Sequence, residues 1–319
     1  MPLTLTCADY VRIMPLATGA VPAEFTLELS RSGAWPGRAE MMRRATGDAS
    51  VAGGEGSMGI HLKRMDAGDR SFVALPVFVL RNFTARDIYV RQGSPLRTAA
   101  DLKGKRIGMY SWTASGSIWY RHFLAWAGVE ADAVQWCIGD IDAPWGMQSN
   151  PALPPGGTAP PPGRSLSQML IAGELDAVYS PPVPKDHHPV RGPVVRLYAD
   201  PRAVEAAYFK ETGVFPPQHL VVLRREVWER DRGLARRITD AFNACEDYVE
   251  GQLRGMPYAT PWMQQDLEEA ETLLGPNLYR HGLDANRATM EQFCAEAYKL
   301  GLTQRLIGVD EYFREFLKS

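Results

Sequence analysis

Long apolar runs, paired cysteines and an excess of either charge are all missing from this 319-residue chain. Its longest apolar stretch, Val73–Leu80, contains Pro76. A membrane-spanning helix needs about 20 apolar residues, so this run reads as a buried strand and no membrane association is expected. The four cysteines (Cys7, Cys137, Cys245, Cys294) are far apart and form no Cys-x-x-Cys pair. That spacing fits neither a disulfide scaffold nor a zinc site, and no metal is expected. Lys and Arg total 35 against 37 Asp and Glu, for a formal net charge of -2. Without a basic stripe to follow a phosphate backbone, nucleic-acid binding is disfavoured. The N-terminus shows no basic segment, unbroken apolar stretch or cleavage site of a secretory signal, so the expected location is cytoplasmic. Neither a dinucleotide fingerprint nor a phosphate-loop lysine-serine pair occurs, and no cofactor is expected.

What is present points to a folded α/β protein. Hydrophobic residues make up 45% and charged residues 23%, enough for a sizeable core, and the length suits two lobes of about 150 residues. Leu3, Leu5 and Cys7 alternate with polar residues, as do Phe25, Leu27 and Leu29, which predicts two strands. Thr98 with Asp101 three residues on reads as a capping box, Gly104 as the helix stop, and Ile107–Met109 as the next strand. Further on, Ser165–Gly173 reads as a helix, and Asp176–Ser180, Val194–Tyr198 and His219–Leu223 as strands. Helical spacing governs Leu234, Ile238, Ala241, Phe242, Cys245 and Val249, and again Met290, Phe293, Cys294 and Ala297. Repeated βα units followed by a helical tail predict mainly parallel sheets. Residues 151–164 are rich in proline and glycine and read as a surface insert.

Several segments, in order, resemble the 4,5-dihydroxyphthalate decarboxylase-like family. They are Tyr10-Val-Arg12, Pro15-Leu16, Glu55-Gly-Ser57, Phe72–Phe78 with Arg81, and Asp101–Gly108. Met169–Ala177, Thr212–Pro216 with His219, Gly282 and Asn286-Arg287 complete the set. The resemblance implies a two-lobed type 2 periplasmic-binding-protein fold with crossing strands and a helical C-terminal tail. Lobe one would hold residues 1–88 and 200–319, lobe two residues 89–199, with the site in the cleft between them. It also implies loss of carbon dioxide from a hydroxylated aromatic carboxylate. The chain departs from the family pattern at Thr84-Ala85, where an Arg-His pair is expected, and at Ser111, where a glutamate is expected. His61 and His281 stand where tyrosines are expected. These departures bear on which acid is bound. A non-catalytic solute-binding protein for a small carboxylate, serving transport or sensing, is the alternative. A homo-oligomer is compatible with either reading.

Decarboxylation needs a grip on a carboxylate and an acid that protonates the carbon losing carbon dioxide. Arginine suits the grip, because its planar fork donates two parallel charge-assisted hydrogen bonds. Arg81, directly after Val73–Leu80, is the first candidate and Arg12 the second; either could instead form a structural ion pair. Histidine titrates nearest neutrality, which makes His219, His61 and His281 the candidate catalytic residues, with hydrogen-bonded scaffolding as the other reading. Glu55 and Ser57 could order the ligand or cap the following helix. Ser111, Thr113 and Ser115, in a small-residue loop between strand and helix, could donate to an anion near a helix N-terminus. Trp112 could stack on an aromatic ring or fill core. The prolines around Asp186-His187-His188 mark an exposed loop rather than a metal site.

Overall fold

The computed structural model describes residues 3–30, 35–143, 153–253, 255 and 260–319. The first two residues of the Pro/Gly-rich stretch thus lie outside the described residues. The chain divides into two compact units: Met1–Asn82 with Pro217–Ser319, and Phe83–Pro216. The switch points expected at 88 and 200 both fall inside the second unit. Side chains explain the shift at the later one. The helix Pro201–Thr212 is tied to the start of the second unit, where Glu205 accepts the backbone N–H of Arg86 at 2.9 Å. Tyr208 on the same helix is buried, with its hydroxyl 2.7 Å from His122 Nδ1 and its ring against Phe123 and Trp126.

The first unit is built on β1 (Thr4–Cys7), β2 (Thr26–Leu29), β3 (Gly53–Ser57), β4 (Phe72–Arg81) and, after the return, β10 (Pro217–Arg224). Their order is β2-β1-β3-β10-β4. The second unit holds β5 (Ile88–Arg91), β6 (Arg106–Met109), β7 (Gln135–Ile138), β8 (Ala177–Tyr179) and β9 (Val194–Arg196), ordered β7-β6-β8-β5-β9. In each sheet four strands run one way and one runs against them: β10 opposes both neighbours, and so does β5. Each opposing strand is the first one the chain makes after changing units. The remaining pairings within β1–β3 and β6–β8 are parallel.

The continuous apolar character of β4 has its expected consequence: nine of its ten residues are buried, the habit of a strand covered on both faces. Between β1 and β10 the backbones come so close that β3 opens with Gly53-Gly54. A Cβ on Gly54, whose φ is 150°, would lie 2.1 Å from the Thr6 carbonyl oxygen. The sequence-read capping box of Thr98 with Asp101 forms, although it opens a short 3-10 helix, Ala99–Leu102, and the structure adds a second box, Ser165 with Gln168, at the start of the helix Leu166–Ile171. The long helices Leu234–Leu253 and Arg287–Lys299 bury the faces that their apolar spacing marks out. Among the described residues no helix is long and apolar enough to cross a membrane.

Candidate functional site

The carboxyl ends of β1, β3 and β4 and the start of β10 lie at one end of the first unit's sheet. In the register, Pro217 pairs with Arg81, His219 with Leu80, and His219 also with Ser57. Open α/β sheets gather their ligands at such ends. Four of the predicted residues, Glu55, Ser57, Arg81 and His219, therefore reach this end from three different strands.

Glu55 and His219 meet directly. The Glu55 side chain is buried, and its Oε1 lies 2.5 Å from Nδ1 of His219. The same oxygen accepts the Tyr10 hydroxyl at 2.5 Å, while Oε2 accepts the Ala8 backbone N–H at 2.7 Å. Burial alone would raise this carboxyl. The His219 hydrogen bond and charge, the Tyr10 hydroxyl and the Ala8 N–H outweigh it and hold Glu55 below the ordinary value. Glu55 is therefore an ionised acceptor, which places a proton on Nδ1 of His219 and directs its reactivity through Nε2. Burial and the Glu55 charge push the Tyr10 phenol well up, so it stays a donor. Glu55 is thus engaged with β1's exit and β10 rather than capping the helix after it. Ser57 is the N-cap of that helix, Met58–Asp66, but its side chain makes no capping bond.

A second cluster surrounds Arg81 at the end of β4. Arg81 is 9% exposed, and its Nη2 donates to Asn286 Oδ1. Loss of water pushes its guanidinium down to about 10; Tyr279 and Glu246 act against that shift and Arg12 adds to it. Arg12 is ion-paired with Glu246 and stacks over the Tyr279 ring, 3.2 Å from its centroid. Arg12 is thus committed to an ion pair within the cluster. His281 Nδ1 accepts the Phe78 backbone N–H at 3.0 Å, and its Nε2 lies 3.6 Å from Glu246 Oε1. Burial keeps this imidazole below its ordinary value. Two guanidiniums and one carboxylate are thus held together, and the cluster carries an excess of positive charge.

His61 stands apart from both clusters. It is buried in the helix Met58–Asp66 with its ring edge-on to Tyr312, centroids 5.2 Å apart, and burial pushes it down to about 4. A cavity of about 360 Å³ opens beside Arg12, Glu246 and Tyr279. Its wall also holds Glu250, Glu268 and Glu271, so its charge does not favour an anion.

Ser111, Trp112, Thr113 and Ser115 belong to the second unit, after β6. Ser111 Oγ accepts the Ala114 N–H at 3.3 Å, and Ala114 is the N-cap of the helix Ser115–Trp126, with no side-chain cap of its own. Trp112 is engaged by two neighbours: Arg121 lies over its ring at 3.8 Å, and Trp136 meets it edge-on at 5.7 Å. The Trp112 carbonyl also accepts from Arg121 Nη2 at 2.7 Å. Thr113 is half-buried and Ser115 buried. Thr84 and Ala85 are buried as well. His187 Nδ1 lies 3.1 Å from the Val194 carbonyl, and His188 Nδ1 accepts the N–H groups of Val190 and Arg191. Among the described residues no three metal-ligating side chains converge.

Sequence reasoning missed Tyr10, Glu246, Tyr279 and Arg121 as members of these clusters. Glu246 follows Cys245 on an amphipathic helix, and a carboxylate next to an apolar stripe was its one signal. Arg121 sits among Ile118, Trp119 and Phe123, a charge inside an apolar helix face.

No protein-family model matches the sequence. Among solved structures, the alkanesulfonate-binding protein SsuA from Xanthomonas axonopodis pv. citri aligns with 97% of this chain at 15% identity and a TM-score of 0.52, covering 96% of its own length. The periplasmic aliphatic sulphonate binding protein SsuA from Escherichia coli aligns with 98% at 14% identity and a TM-score of 0.53, covering 90% of its own length. These likenesses show the fold, a two-lobed periplasmic-binding-protein-like α/β architecture. The 4,5-dihydroxyphthalate decarboxylase of Comamonas testosteroni is 27% identical over 323 residues, covering 98% of this chain and 96% of the relative. That of Pseudomonas putida is 30% identical over 217 residues, 65% of this chain and 81% of the relative. With the Glu55, Arg81 and His219 segments on one sheet end and this similarity over most of its length, the chain belongs to the 4,5-dihydroxyphthalate decarboxylase family.

Proposed function

We propose that this protein is a decarboxylase acting on a hydroxylated aromatic carboxylate bound at the Arg81 and His219 end of the first unit's sheet. The observation that carries the reading is the Glu55–His219 pair at the same sheet end as a desolvated arginine. Arg81 would grip a carboxylate, which relieves the cost of a buried guanidinium. A ring hydroxyl of the substrate supplies electrons, and His219 Nε2 delivers a proton to the ring carbon that bears the departing carboxylate. The carbon–carbon bond then breaks, its electron pair restores the aromatic ring, and carbon dioxide leaves. For this step His219 carries a proton on each ring nitrogen; it regains the Nε2 proton from solvent after transfer, and Glu55 accepts from Nδ1–H throughout. A solute-binding protein for a small carboxylate would use Arg81 equally well. It has no need of a buried carboxylate aligning an imidazole, and that pair favours the enzyme.

The test is carbon dioxide release by the purified protein across hydroxylated benzoates and phthalates, with thermal shift read on the same samples. Release that falls by about 10²–10⁴-fold in His219→Ala while ligand binding persists supports the assignment. Ligand-induced stabilisation without release from any acid of the panel overturns it in favour of the binding protein.

A further inference from the structure

Tyr10 has no reacting partner in the scheme above, yet its hydroxyl lies 2.5 Å from the Glu55 oxygen that also faces His219. We propose that Tyr10 is a positioning residue that sets how strongly Glu55 draws on His219, and through it the pH range over which His219 holds its proton. The inference rests on the reading of His219 as proton donor for its catalytic consequence, though not for its physical content.

The geometry supplies the reason. Glu55 has two oxygens, and one is occupied by the Ala8 N–H. The other is shared between a phenol and an imidazole. Two donors on one oxygen compete for its charge, so the phenol weakens the pull on the imidazole. The phenol is itself fixed in place. It stands three residues past the end of β1, and the Arg38 guanidinium from the helix Trp35–Gly47 lies 6.0 Å from its ring centroid, held by Asp9 at 3.0 Å. Among the described residues, the titratable and charged groups that act on Tyr10 and Glu55 are Cys7 of β1, His219 of β10 and Arg38 from that helix, with Asp9 paired to Arg38 and Arg81 farther along the neighbouring strand β4. Of these, Tyr10 alone bonds the same oxygen as His219.

The experiment follows the His219 ring by heteronuclear NMR through a pH titration, in the wild-type protein, in Tyr10→Phe and with 3-fluorotyrosine placed at position 10. Losing the hydroxyl should leave Glu55 drawing on His219 alone and raise the ring's titration midpoint by about 0.5–1 pH unit. The fluorinated phenol is a stronger acid, donates more strongly and should move the midpoint down. Opposite displacements support the proposal even if no acid is turned over, a result that would sink the decarboxylase reading alone. Midpoints that coincide in all three folded proteins overturn it. Should Tyr10→Phe fail to fold, the fluorotyrosine protein decides by the direction of its shift. If the protein turns over a phenolic acid, the alkaline limb of kcat should follow the NMR midpoint with KM unchanged, a pattern that loss of packing alone would not produce.

Discussion

Nδ1 of His281 accepts the backbone N–H of Phe78 at 3.0 Å, joining residues 203 positions apart and fixing this imidazole as the neutral Nε2–H tautomer. The donor it satisfies lies inside β4, where water cannot replace it. His281→Ala should therefore cost about 1–3 kcal/mol of stability, the penalty for a buried donor left without an acceptor. Urea unfolding checks the cost. If His281 acts mainly as this strut, turnover per folded molecule should stay within a few-fold of wild type.

Arg81→Ala should weaken binding of an aromatic carboxylate by about 2–5 kcal/mol in calorimetry. Arg81→Lys should recover only part of that, because an ammonium cannot reproduce the planar fork. Equal affinity in all three proteins would remove Arg81 from the binding site.

The His61 ring gives a pH signature of stability. Burial pushes it from 6.5 down to about 4, so between those values the unfolded chain binds a proton that the folded chain refuses. Its contribution is fully present above pH 6.5 and is lost as pH falls toward 4, amounting to about 3 kcal/mol at most. Replacing His61 with Phe should flatten this part of the stability curve, measured by urea unfolding at pH 7 and pH 4.5. An unchanged slope would refute it.

Gly54→Ala should be among the most damaging small substitutions in the first unit. The added carbon meets the Thr6 carbonyl at 2.1 Å and its φ of 150° is one that side chains avoid. A loss above about 4 kcal/mol, or insoluble expression, is expected. A near-native melting temperature would mean that β1 and β3 can separate without cost.

Local chemistry in the sequence determined the elements. Continuous apolar residues made β4 a strand buried on both faces, capping boxes began helices at Thr98 and Ser165, and glycine closed the segment at Gly104. It also nominated Arg81, His219 and Glu55, each placed at or near the end of a strand. Which of these side chains meet was decided only by the tertiary structure. Glu55 and His219 are 164 residues apart, and Arg12 and Glu246 are 234 apart. Periodicity says which face of a strand is buried, and carries no record of which strand will lie beside it. The return of the chain as β10 between β3 and β4 brings His219 to Glu55. The packing of the helix Leu234–Leu253 against the segment after β1 commits Arg12 to Glu246. Hydrogen bonds and ion pairs act over a few ångströms, so a side chain's partner is set by sheet order and helix docking, which no short window of sequence contains.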